Sequence, residues 1–157
     1  VCMSYRKYQQ YRSISDQKYA NGIVFYTQTE NRRIINLPKV HYDNGAEKNF
    51  QTNGNYKPTV RMFKNARSYL INHNSLSPDA APSYFIECLL YNVPSQKIVT
   101  NPQDTFINVL EYLKNANLSS FVCQNGQMYL FGDSPEQWSI YNANQLVSAY
   151  IDLWSNW

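Results

Sequence analysis

Apolar residues recur every three to four positions in the second half of the chain, whereas the first third carries them in short runs. Val60, Phe63, Ala66 and Leu70 share one face of a helix expected from about Pro58. Proline suits a first helical turn, where no backbone N–H is required. Asn72, Asn74 and Ser75–Pro82 end this helix and form a connector. Ser83–Tyr91 predicts a second helix, opened by Pro82-Ser83 and closed before Pro94. A third runs from about Pro102 to Lys114 with Phe106, Val109, Leu110 and Leu113 inward. A last one covers Asn142–Trp157, with Leu146, Tyr150, Leu153 and Trp157 on one stripe.

Upstream, Val1–Ser4 reads as the end of a buried strand, followed by a polar stretch rich in Tyr and Gln over Tyr5–Asn21. Gly22–Tyr26 reads as a strand, Thr29–Arg32 as a turn and Arg33–Leu37 as a hairpin partner. Leu37–His41 then leads into an expected polar loop around Asp43-Asn44-Gly45. Ser120–Leu130 predicts a hairpin about Asn125-Gly126, a strong two-residue turn signal. With no internal repeat or linker, the pattern predicts one α+β unit. A few N-terminal strands precede a mainly helical bundle that includes a small β-hairpin.

A length of 157 residues fits one compact domain, large enough to bury a core without disulfides or a structural metal. No apolar run reaches the roughly 18 to 20 residues of a membrane span, and Val1–Arg6 lacks the apolar middle of a signal peptide. Cys2, Cys88 and Cys123 lie far apart without a CxxC or a histidine cluster, which suggests reduced thiols in a cytoplasm and argues against zinc. The net charge of +3 permits an anionic ligand without demanding nucleic acid. Fourteen tyrosines suit a core, an interface or a base-stacking surface equally well. A chain that opens on the end of a buried strand is expected to belong to a protein that begins upstream.

Most reaction centres find no residues here. The chain has no Gly-rich phosphate loop, no GxSxG, no HExxH and no Asp-x-Asp, and His41 and His73 are expected in separate loops without carboxylate partners. Binding chemistry remains. Lys57, Arg61, Lys64 and Ser68 share a helix face at offsets of four, three and four, with Arg67 beside them. That stripe is either a solvated surface or an anion site. Ser83 is expected at an N-cap, as an ordinary cap or as part of a phosphate cradle built on unpaired amides. Tyr84 belongs either to the core or to a base-stacking surface.

Taken together, Thr59–Arg67 (TVRMFKNAR) and Ala81–Asn92 (APSYFIECLLYN) resemble the oligoadenylate synthetase and cyclic GMP-AMP synthase group of nucleotidyltransferases. The pair is most similar to the bacterial branch, the CD-NTases that make cyclic nucleotide signals in antiphage defence. Ile34–His41, Lys48-Asn49, Thr52–Gly54, Glu136–Trp138 and Leu153–Trp157 agree with it, so the resemblance covers most of the chain. It implies that Lys64 grips the triphosphate of the incoming nucleotide, that Ser83 supports the phosphates and that Tyr84 stacks on the base. Arg61 is a weaker candidate for the same anionic pocket, with Lys57, Asn53 and Asn55 at its rim.

The departure from the family is large, because the Gly-Ser motif and the metal-binding carboxylates would lie upstream. The resemblance therefore implies that residues 1–50 are a remnant of the catalytic-domain sheet and loops, and that 51–157 form the helical nucleotide-cradling domain. Mg2+ would be bound by carboxylates outside this chain, and no catalytic residue is assigned within it. The implied partners are nucleoside triphosphates, the missing N-terminal half of the same enzyme, and a second copy through the exposed sheet edge. The competing expectation is a non-enzymatic module for single-stranded nucleic acid, using the basic stripe and the tyrosines. A third is an interaction domain whose stripe is only wet surface.

Overall fold

Three antiparallel strands lead into five α-helices in this computed structural model, which describes residues 6–11, 19–28, 31–134 and 136–156. The strand expected at Val1–Ser4, the Thr29-Glu30 part of the turn and Trp157 lie outside the described residues. The sheet order is β1 (Arg6–Tyr11), β2 (Tyr19–Tyr26), β3 (Arg33–Asn36). The expected hairpin is present: Ile23 lies opposite Asn36 and Tyr26 opposite Arg33. The Thr27 amide closes its turn on the Arg32 carbonyl at 2.9 Å, with Asn31 at a φ of 48°. Asparagine tolerates that left-handed backbone better than most residues. β2 begins earlier than expected because it also pairs with β1, in a register that sets Arg6 against Val24. The sequence of β1, RKYQQY, has too little apolar alternation to announce a strand.

The polar loop expected around Asp43-Asn44-Gly45 is instead the middle of α1 (Pro38–Gln51). Its inward face is helical in period but polar in content: His41 is partly buried, Asn44 bonds inward, and Gly45 and Lys48 are buried. A pattern of apolar residues could not find it. Lys48 sends its ammonium to the Val93 carbonyl and lies 5.5 Å from the Tyr91 ring centroid, and burial holds its pKa below the usual value.

The remaining helices follow the apolar periodicity. α2 (Tyr56–Asn72) buries Tyr56, Val60, Phe63 and Leu70, and Pro58 falls in its first turn. α3 spans Ser83–Tyr91, and α4 (Pro102–Asn115) buries the four residues expected of it. The Asn101 side chain caps α4, accepting from the amide of Gln103 at 2.9 Å and that of Asp104 at 3.4 Å. α5 (Ile140–Ser155) starts at a Ser139 cap and buries Ala143, Leu146, Val147 and Tyr150. The rings of Phe63 and Phe106 stack at 4.6 Å, Tyr150 meets Phe63 edge-on at 5.1 Å, and the Tyr150 hydroxyl donates to the Phe63 carbonyl at 2.7 Å. This cluster ties α2, α4 and α5 into one core, and the α+β architecture stands.

The hairpin expected over Ser120–Leu130 is reduced to a single bridge between Val122 and Tyr129. Its turn is centred on Gln124-Asn125, because the Gly126 amide bonds the Cys123 carbonyl at 2.7 Å. Within this turn Gly126 alone has a positive φ, at 66°, so the turn is not the two-residue type that Asn-Gly favours. The reason lies in Gln124, which is 1% exposed. Its Nε2 donates to the His41 carbonyl at 2.8 Å, its Oε1 accepts from the Tyr56 hydroxyl at 2.6 Å, and its amide N–H points to the Cys88 sulfur at 3.4 Å. Its own carbonyl accepts from Asn44 at 2.7 Å. One side chain and its peptide thus join α1, α2 and α3.

Gly45 lets α1 approach that amide, since a Cβ there would stand 2.5 Å from Gln124 Nε2. Alanine at a helix interior ordinarily gains roughly 0.5–1 kcal/mol over glycine. Here the clash outweighs that gain, because the amide cannot swing away without losing buried hydrogen bonds. Gly45→Ala is expected to destabilise the fold by about 1–3 kcal/mol in denaturant unfolding. A stabilised variant would show that Gln124 gives way freely.

Candidate functional site

The outer face of α2 and the N-terminal turn of α3 meet at one carboxylate. Lys64 Nζ lies 2.8 Å from Glu87 Oε2, and His41 Nε2 lies 3.3 Å from Glu87 Oε1. An ionised carboxylate only accepts, so the His41 Nε2–H is the donor. The site therefore draws one side chain each from α1, α2 and α3. His41 thus sits on a helix with a carboxylate partner, and not in an isolated loop as expected. That partner is 46 residues distant in sequence, beyond the reach of any local pattern. His73 caps the end of α2, stacked on Tyr69 at 3.9 Å.

Glu87 is drawn down to about pKa 2, chiefly by the hydrogen bond from His41 and then by the hydrogen bond and charge of Lys64, against a burial effect of opposite sign. Tyr84 lies one turn before Glu87 on α3. Its ring stacks on His41 with centroids 5.4 Å apart and planes 25° apart, and the residue is 40% exposed. Burial first, and then contacts with the Cys88 and Cys123 thiols, raise its phenol pKa. The phenol end is thus anchored inward while part of the ring reaches solvent.

Ser83 is the first residue of α3 and not its cap; extended Pro82 holds the cap position, with its ψ of 144°. The Phe85 and Ile86 amides bond back to the Pro82 carbonyl at 3.0 and 3.3 Å. The Ser83 and Tyr84 amides lie ahead of the first intrahelical bond, where a helix N-terminus favours negative charge. The Ser83 side chain is exposed.

The rest of the basic stripe separates. Arg61 is exposed one turn before Lys64. Lys57 lies 5.5 Å from the Tyr42 ring centroid, Arg67 donates to the Pro78 carbonyl at 3.0 Å, and Ser68 donates to the Lys64 carbonyl. Asn53 adopts a φ of 50°, and Asn55 stands at the N-cap position of α2 with its side chain donating to the Thr52 carbonyl at 2.9 Å, so both shape the α1–α2 turn. The structure brings Lys64 and Tyr84 together through Glu87 and His41, two residues absent from the expected site. The signal for Glu87 was a lone carboxylate in the apolar run Phe85–Leu90, four residues after Ser83. For His41 no local signal existed.

Residues 43–155 match the cGAS/DncV-like nucleotidyltransferase C-terminal helical domain. The chain belongs to that family. It is 54% identical over all of its length to the cyclic UMP-AMP synthase of Rhodothermus marinus, covering 54% of that protein. It is 41% identical to the cyclic nucleotide synthase CdnE01 of Staphylococcus haemolyticus, covering 99% of this chain and 53% of the relative. The solved Rhodothermus marinus c-UMP-AMP synthase with Apcpp and Upnpp superposes with a TM-score of 0.91 at 52% identity, over 96% of this chain and 52% of that one. The Elizabethkingia meningoseptica cyclic dinucleotide synthase with GTP and Apcpp gives a TM-score of 0.72 at 28% identity, over 97% of this chain and 54% of that one. The chain thus spans about half the length of these relatives. Among the described residues, no helix is long and apolar enough to cross a membrane.

The pH dependence of the clamp follows from the direction of the Glu87 shift. A folded-state pKa below the ordinary 4.5 contributes stability that is present above 4.5 and lost as pH falls toward 2. After screening at a side chain 29% exposed, that loss amounts to about 2 kcal/mol. Unfolding midpoints measured across this range should fall steeply for the native chain and more shallowly for Glu87→Gln. Parallel acid limbs would remove Glu87 from the acid response.

Proposed function

We propose that this chain is the nucleotide-cradling C-terminal part of an enzyme that joins nucleoside triphosphates into a cyclic di- or oligonucleotide messenger for antiphage signalling, releasing pyrophosphate. The observation that carries the reading is the Lys64 ammonium, held through Glu87 to the first turns of α3, the helix that opens on Ser83 and Tyr84. Lys64 and the start of α3, with the Ser83 hydroxyl, hold phosphates by charge and hydrogen bonding. Tyr84, backed by His41, offers its accessible ring surface to the base. Arg61, exposed one turn away on α2, adds positive charge at the edge.

Residues 1–50 are then a remnant of the catalytic-domain sheet and 51–157 the helical cradle. The matched domain extends slightly upstream of that boundary, into α1. The chain's own side chains do not suit magnesium. Among the described residues no three His, Cys, Asp or Glu groups cluster, and both Glu87 oxygens are engaged. The metal belongs with carboxylates outside this chain, and the chain alone is catalytically inactive in a cytoplasmic, bacterial setting.

Single-stranded nucleic-acid binding is the weaker reading, because the basic stripe does not form one continuous track: Lys57 lies against the Tyr42 ring and Arg67 donates to the Pro78 carbonyl. Lys64→Ala in the intact enzyme should weaken triphosphate binding about tenfold or more, measured by calorimetry with ATP, GTP, CTP and UTP. Unchanged affinity would remove Lys64 from the site. Affinity that instead grows with oligonucleotide length would favour the nucleic-acid reading.

A further inference from the structure

We propose that Glu87 is the internal counter-ion of the phosphate site, so that a nucleotide's phosphate chain must share Lys64 with a resident carboxylate. This inference rests on the reading of Lys64 as a phosphate ligand. An ammonium has three donors, and Glu87 Oε2 occupies one of them at 2.8 Å. The second oxygen is held by His41 at 3.3 Å, so the carboxylate is fixed from two helices and cannot rotate away without breaking both contacts. Its low pKa keeps it ionised at neutral pH. The pair leaves the resting site close to neutral, although its lysine lies on the most basic face of α2.

A second negative charge beside an incoming phosphate opposes binding, and opposes it more as the ligand's charge rises. The carboxylate therefore limits how tightly a highly charged triphosphate is held, which favours turnover over tight capture. A purely structural ion pair between α2 and α3 makes the opposite prediction, because its loss would loosen the site for every ligand.

The test uses the intact protein carrying Glu87→Gln, which keeps an acceptor for Lys64 and removes the charge. Calorimetry at fixed ionic strength with ATP, AMP and adenosine, and with the UTP, UMP and uridine series, reads the effect. Triphosphate affinity should rise by about three- to tenfold, monophosphate affinity less, and nucleoside affinity not at all. Weaker or unchanged triphosphate binding, or an equal change across all three ligands, would overturn the proposal.

Should Glu87→Gln fail to fold, the apolar pair Lys64→Met/Glu87→Met supplies the same comparison against Lys64→Met alone. The double variant should bind ATP more tightly than the single, and equal or weaker binding contradicts the counter-ion role. The two levels separate cleanly. If Lys64→Ala weakens ATP binding while Glu87→Gln does not tighten it, only the counter-ion fails. If Lys64→Ala changes nothing, the phosphate site itself is wrong.

Discussion

One buried amide governs the arrangement of this molecule's first three helices. Gln124 satisfies both ends of its side chain inside the protein, receiving the Tyr56 hydroxyl of α2 and donating to the His41 carbonyl of α1. Its backbone is tied in as well, with the N–H at the Cys88 sulfur of α3 and the carbonyl at Asn44. A buried amide with unmet partners costs on the order of 1–3 kcal/mol per group, so these bonds are obligatory once the site is closed. Elsewhere the core is conventional, with Phe63, Phe106 and Tyr150 interlocking α2, α4 and α5. α1 has no comparable apolar face. It docks through polar contacts, and Gly45 exists to let it come close enough.

That docking gives the candidate site its shape. With α1 in place, His41 lies flat against Tyr84 and holds one oxygen of Glu87. Glu87 in turn orients Lys64, so the cation, the aromatic ring and the start of α3 are fixed relative to one another before any ligand arrives. Preorganisation of this kind lowers the entropy a ligand must lose on binding. The same contacts set the charge of the site, because the carboxylate that aims the lysine also partly neutralises it. Geometry and electrostatics are therefore coupled through a single side chain.

Much of this is legible in the sequence, and the rest depends on contacts that local apolar patterning does not carry. α2 to α5 declared themselves by apolar residues at helical spacing, and their buried positions agree closely with that pattern. Lys64 and Tyr84 were named from the same stretches, and the structure links them through Glu87 and His41. α1 looks like a loop in sequence because its inward face is His41, Asn44, Gly45 and Lys48, a helical rhythm written in polar residues. β1 is hidden because its sequence, two basic residues followed by Tyr-Gln-Gln-Tyr, carries no alternation of apolar and polar positions. Asn125-Gly126 drew attention as a hairpin turn, yet the demand of Gln124 for buried partners moved the turn back by one residue. In α1 and in the Gln124 turn, long-range polar satisfaction overrode a local signal. Glu87 shows only as a lone carboxylate in an apolar run and His41 not at all, because the contact that gives both their meaning spans 46 residues.

α1, and with it the site, is held by the Gln124 amide and not by apolar packing. Hydrogen–deuterium exchange on Gln124→Met, which keeps the volume and removes the hydrogen bonds, tests this most directly. The amides of His41–Thr52 should lose protection while those of α4 and α5 retain theirs. Unchanged protection across α1 would mean that ordinary packing, and not the Gln124 amide, holds the helix.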